Sequence, residues 1–143
     1  MGKINIGRVI LGGLVAGIVG DVLDYLVDGV WLAPTWAVQM KRLVNTDFSL
    51  TQWIEFNLLG LVIGIALIWI YAAIRPRFGA GVKTAVYAGV AVWVVGVLIP
   101  NLNLMWVSGL FGRRLTAYTT LGGLVEVVVG AIAGAAVYKE SAS

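Results

Sequence analysis

The sequence predicts an all-α, polytopic membrane protein. Four transmembrane helices form an up-down-up-down bundle, and a short amphipathic helix lies in the interface between the first and the second. Three observations carry this expectation. Charged residues make up 12% of the chain and hydrophobic residues 60%, whereas roughly a quarter of an ordinary soluble domain is charged. Mean hydropathy is +0.95. Four apolar stretches, at about 9–32, 51–74, 81–99 and 115–138, are parted by short polar breaks, and each has roughly the 20 residues that a bilayer core requires. Residues 1–143 are therefore expected to form one four-helix transmembrane domain, with no room for a separate soluble one.

The first span lies between Lys3 and Arg8 at one end and Trp31 and Trp36 at the other, cationic and aromatic anchors suited to the two interfaces. The opening M-G-K-I-N-I-G-R and the apolar run after it resemble a signal peptide. The run continues through aspartates with no small-residue cleavage site, so it is read as a retained helix. Asp21, Asp24 and Asp28 are three and then four residues apart, which sets them on one helix face. Gly13, Gly17 and Gly20 lead into Asp24 at helical spacing, so the acids share a stripe of the kind along which membrane helices approach closely. An aspartate at the bilayer centre costs about 2.5–3.5 kcal/mol on insertion scales. The stripe is thus expected to face other helices or water rather than lipid.

Ala33 to Gln52 is too polar to span. Trp36, Met40, Leu43 and Val44 recur at helical period opposite Gln39, Lys41, Arg42 and Asn45, the pattern of a helix lying in the interface. Pro34 breaks the chain after the first span, and Asp47 or Ser49 can start the second. The second span carries Glu55 near its start and a stripe of Asn57, Gly60 and Gly64, and it is expected to stop at R-P-R-F-G-A-G, Arg75 to Gly81. So short a turn makes the second and third spans antiparallel neighbours. In the third span Gly89, Trp93, Gly96 and Pro100 line one face, and Asn101 to Arg114 is read as a connection resting on the membrane surface. The fourth span places Gly122, Glu126, Gly130 and Gly134 in steps of four, with Thr116, Tyr118, Thr119 and Thr120 towards its start.

Lys3, Arg8, Arg75, Arg77, Lys83 and Lys139 fall at the end that carries both termini, against Lys41, Arg42, Arg113 and Arg114 at the other. Six against four favours cytoplasmic termini. The same helix ends account for the net charge of +3, so no nucleic-acid partner is expected; the bilayer itself is the partner. The chain has no Cys and no His, which excludes disulfides, thiol redox chemistry, thiolate metal sites and the commonest metal ligand and general base. No cofactor is expected. Clustered carboxylates can hold Ca²⁺ or Mg²⁺, but no metal-spacing motif requires one.

The segments R-V-I-L-G-G-L-V-A-G (Arg8 to Gly17), Y-A-A-I-R-P-R-F-G-A-G-V-K-T-A (Tyr71 to Ala85) and G-G-L-V-E (Gly122 to Glu126) resemble a family of small, uncharacterised four-helix bacterial integral membrane proteins. The resemblance covers most of the chain. It implies a location in the bacterial plasma (inner) membrane and brings with it no activity, substrate or site residue. Size and intramembrane acids are similar to those of small multidrug resistance exporters in architecture alone.

The candidate site is an acidic, polar cavity in the non-cytoplasmic half of the bundle. It draws on Asp21, Asp24, Tyr25, Asp28, Glu55, Asn57, Asn101, Tyr118 and Glu126. Three carboxylates within two helical turns repel if all are ionised, so the cavity is suited to a cation, a proton or a small polar or amphiphilic solute that the protein binds or transports. Two other readings stay open. The acids can secure helix contacts in a structural or assembly subunit of a larger membrane complex; as a partner, a second copy of the chain in a homo-oligomer is the other option. Less favoured is an intramembrane enzyme in which Asp24 and Glu126 divide acid and base roles; no catalytic residue is assigned.

Overall fold

The computed structural model describes residues 3–41, 43 and 49–140. Among these residues there is no β-strand, and five helices make the fold: α1 (Ile6–Trp31), α2 (Ala33–Met40), α3 (Leu50–Phe78), α4 (Val82–Val107) and α5 (Arg113–Val137). All but α2 are 25–29 residues long and strongly apolar. At about 1.5 Å per residue each can cross a bilayer core of about 30 Å. This is the architecture of a multi-pass membrane protein.

Local chemistry sets the boundaries. α1 begins at Ile6, earlier than the apolar run suggests, because the Asn5 side chain accepts a hydrogen bond from the Arg8 N–H at 3.1 Å and so satisfies an amide that the first turn leaves free. Ser49 caps α3: its hydroxyl accepts from the Gln52 N–H, and the Gln52 side chain accepts in return from the Ser49 N–H, the reciprocal arrangement of a capping box. Asp47, the other start considered, lies outside the described residues, as do Arg42, Val44 and Asn45 of the amphipathic segment. Pro34 occupies the first turn of α2, where a missing N–H costs nothing.

Two expected ends are corrected. α3 does not stop before Arg75 but runs through Pro76 to Phe78. The reversal is made instead by Gly79 and Gly81, whose φ angles of 84° and 121° suit glycine, while Tyr71 Oη accepts from the Gly81 N–H at 3.1 Å. The third span likewise does not end at residue 99. α4 continues through Pro100 to Val107, so Asn101, Asn103 and Trp106 are helical residues and the connection to α5 shrinks to residues 108–112. The helix accommodates the proline by winding wider π-turns at Val94–Leu98 and Leu102–Val107, on either side of one α-turn at Ile99–Asn101. Such turns let a helix pass a residue that cannot donate to its ladder. They also turn its face: Gly89, Trp93, Val97 and Asn101 point at α5, whereas among the described residues Gly96 has no heavy atom beyond its own stretch of helix within 4 Å of where a Cβ would lie.

α1 packs between α3 and α5, and α4 packs on α5 and α3, which gives the square of an up-down-up-down bundle. A Cβ on Gly13 would lie 2.8 Å from the Ile65 backbone nitrogen, and one on Gly17 2.7 Å from Leu61 Cα. On the other side, a Cβ on Gly12 would lie 2.7 Å from the Gly134 carbonyl oxygen, and one on Gly130 2.8 Å from that of Ala16. Only glycine allows backbones this close, and close backbones give the dispersion contacts that hold helices together where lipid is as apolar as their side chains.

The two ends of the bundle differ. At the end with the termini all four spans share a core of Val9, Leu67, Ile68, Tyr71, Ala72, Ala85, Ala88, Ala131 and Tyr138. Arg75 there lies over the Tyr138 ring and pairs with Glu140 at 3.4 Å. At the opposite end Leu32, Met105 and Leu115 form a smaller core with Val27, Trp36 and Phe111. α3 takes no part in it, and each residue from Leu50 to Leu59 is exposed.

Candidate functional site

The site grows from the register between α1 and α5. The α5 positions Tyr118, Gly122, Glu126, Gly130 and Gly134 climb in steps of four, and α1 runs past them in the opposite direction. Trp31 meets the Tyr118 ring at a centroid distance of 5.2 Å, Val27 fills the space beside Gly122, Ala16 lies on Gly130, and Gly12 lies on Gly134. Glu126 lies between Gly122 and Gly130, and Asp24 and Asp28 meet it from α1. One carboxylate oxygen from each lies within 4.8 Å of the other two, and all three residues are half-buried.

This register divides the three aspartates. Gly13, Gly17 and Asp21 face α3, and the Asp21 carboxylate rests directly on Gly60, against the position where a Cβ would stand. Asp24 and Asp28 face α5 and meet Glu126. The single acidic stripe expected of α1 is therefore two: the aspartates lie close in angle, but α1 is wedged between two neighbours and its stripe straddles the wedge.

The other candidates lie apart from this group. Tyr25 is exposed, its ring lying over Gly29. Glu55 and Asn57 are on the exposed part of α3, and the Asn57 amide donates to the Trp53 carbonyl at 2.7 Å. Asn101 belongs to the α4–α5 seam, where its amide donates to Thr120 Oγ1 at 3.1 Å and the Trp93 indole donates to the Thr120 carbonyl at 2.8 Å. The buried hydroxyls of Thr116, Thr119 and Thr120 bond to α5's own backbone or to Gly112. Arg113 stacks over Trp106 at 5.1 Å. Among the described residues no Lys or Arg pairs with Asp24, Asp28 or Glu126. Trp36, expected as an interface anchor, also reaches the site: its indole N–H donates to Asp28 Oδ1 at 2.7 Å. Pro34, which marks the start of a new helix just after α1, is the signal in the sequence nearest to that contact.

Comparison with family models, curated proteins and solved structures gives no match. That is consistent with an uncharacterised family.

Two features matter. Glu126 Oε1 is buried and has no hydrogen-bond donor among the described residues, and such an oxygen forfeits the water it would otherwise bind. Gly20, one turn from Asp24 and on the same face, has among the described residues no heavy atom beyond its own stretch of helix within 4 Å of where its Cβ would lie. The face of α1 one turn from Asp24 is thus unpacked, and the three carboxylate residues are themselves only half-buried. Two carboxylates at this range repel by about 3 kcal/mol or more at an effective dielectric constant of about 20, and positive charge placed between them relieves that. Oxygens on opposite sides of one Ca²⁺ lie about 4.6–5.2 Å apart, which is the scale of this group.

Proposed function

We propose that the protein binds or transports a cation, a proton or a small cationic solute, in a bacterial inner membrane and with both termini in the cytoplasm. One observation carries the reading: Asp24, Asp28 and Glu126 converge from two helices without a basic partner among the described residues. A purely structural use of acids within a span would pair each with a donor, because unpaired ionisable groups there are expensive. Glu126 Oε1 has no hydrogen-bond donor among the described residues, and a bound cation or proton would give that oxygen a positive partner.

The reading is tested with purified protein, by Mn²⁺ titration followed by electron paramagnetic resonance, and in liposomes by proton and Mn²⁺ flux. Asp24→Asn and Glu126→Gln are expected to weaken binding or slow flux about ten-fold or more, since each removes a charged ligand, and Asp21→Asn to have little effect. Unchanged binding and flux in both of the first two variants would sink the proposal.

A second reading has one observation behind it. The first ten residues of α3, Leu50 to Leu59, are exposed around the whole helix although they include Glu55 and Asn57, as suits a helix that a larger membrane complex surrounds. Native purification then recovers a stable hetero-complex. Recovery of a lone protein counts against it.

A further inference from the structure

We propose that α2 is a lid over the carboxylate site and that Trp36 is its latch; the proposal rests on the reading of Asp24, Asp28 and Glu126 as a cation site. α1 closes at Leu32, whose N–H donates to the Val27 carbonyl at 2.8 Å, and α2 leads back from there. Its Trp36 indole donates to Asp28 Oδ1 at 2.7 Å, eight residues earlier in the chain. The same indole meets the Phe111 ring at 5.2 Å and 72°. Three residues on, Gln39 Oε1 accepts from the Gly112 N–H at 2.6 Å. α2 therefore bridges the end of α1 and the connection that leads into α5, the two elements between which the site lies.

The attachment is slight. α2 has eight residues, none of them fully buried, and a helix of that length has little stability of its own. Elements held by few buried contacts are those that open locally while the rest stays folded. The latch also competes with the ligand. A cation drawn to Asp28 seeks the electron pairs that the indole N–H occupies, so binding weakens the latch and the closed latch weakens binding. Trp36 is thus a positioning residue, acting on the ligand through Asp28.

The chain contains no Cys, so a Gln39→Cys/Gly112→Cys pair in the full-length protein gives an unambiguous thiol–thiol crosslink across the lid. Trp36→Phe keeps a ring against Phe111 and deletes the N–H. It is expected to lower the crosslinking rate, and to raise the rate of Mn²⁺ entry, each by about ten-fold, the size of effect that loss of a hydrogen bond to a charged acceptor brings. Crosslinking the lid is expected to slow Mn²⁺ entry, and cleavage of the linker to restore it. Phe111→Leu leaves the N–H in place and should crosslink nearly as fast as the parent pair. The lid is overturned if Mn²⁺ enters crosslinked and free protein equally fast. The latch is overturned if Trp36→Phe crosslinks as fast as the parent, or if Phe111→Leu loses as much as Trp36→Phe does. Should Mn²⁺ bind neither the parent nor Trp36→Phe, the cation reading fails instead, and the crosslinking rates alone decide the latch.

Discussion

Gly64→Ala and Gly20→Ala make the same chemical change on two transmembrane helices and should have opposite effects. A Cβ on Gly64 would stand 2.5 Å from the Gly17 backbone nitrogen and 2.8 Å from Gly17 Cα. Carbon atoms rest at about 3.5–4.0 Å, so α1 and α3 must part by roughly 1 Å to admit one methyl group. The obstructing atoms are backbone and cannot rotate aside. Overpacking costs about 1–3 kcal/mol, and alanine returns up to about 1 kcal/mol in helix propensity. A net loss of about 1–2 kcal/mol is expected. Among the described residues Gly20 has no heavy atom beyond its own stretch of helix within 4 Å of the new methyl, so Gly20→Ala should keep the propensity gain alone and be neutral or up to about 1 kcal/mol more stable. Reversible unfolding in mixed detergent–SDS micelles, followed by tryptophan fluorescence, measures both. Stabilities within about 0.5 kcal/mol of each other, the spread of ordinary surface substitutions, or greater damage from Gly20→Ala would refute a close α1–α3 contact at Gly64.

Two further outcomes follow from the division of the bundle into seams. Trp93→Phe removes the indole donor to the Thr120 carbonyl and should cost about 0.5–1.5 kcal/mol in the same unfolding assay while leaving Mn²⁺ affinity unchanged, because α5 turns a different face to the carboxylates. Gly60→Ala puts a methyl where the Asp21 carboxylate rests. It should destabilise the α1–α3 contact by about 1–3 kcal/mol without lowering the affinity for Mn²⁺; a matching loss of affinity would tie Asp21 to the cation site.

Composition and hydropathy alone determined four spans, because a bilayer core demands about 20 apolar residues and leaves few other ways to satisfy the backbone. The four-residue spacing of Gly122, Glu126, Gly130 and Gly134 likewise marked a packing face of α5, since helical geometry is local. What α1 does with its acids was decided only by tertiary structure. Asp21 and Asp24 differ by three residues, and it is the wedging of α1 between α3 and α5 that sends the first to Gly60 and the second to Glu126. Asn101 went to the α4–α5 seam for a similar reason: π-turns around Pro100 lengthened α4 and rotated its face, which no fixed helical period foresees. The stretch from Asp21 to Asp28 announced an unusual helix. Its neighbours selected Asp24 and Asp28, supplied Glu126 from about 100 residues away in the chain and set Trp36 against Asp28, because which side chains meet depends on helix register and crossing, properties that no single helix encodes.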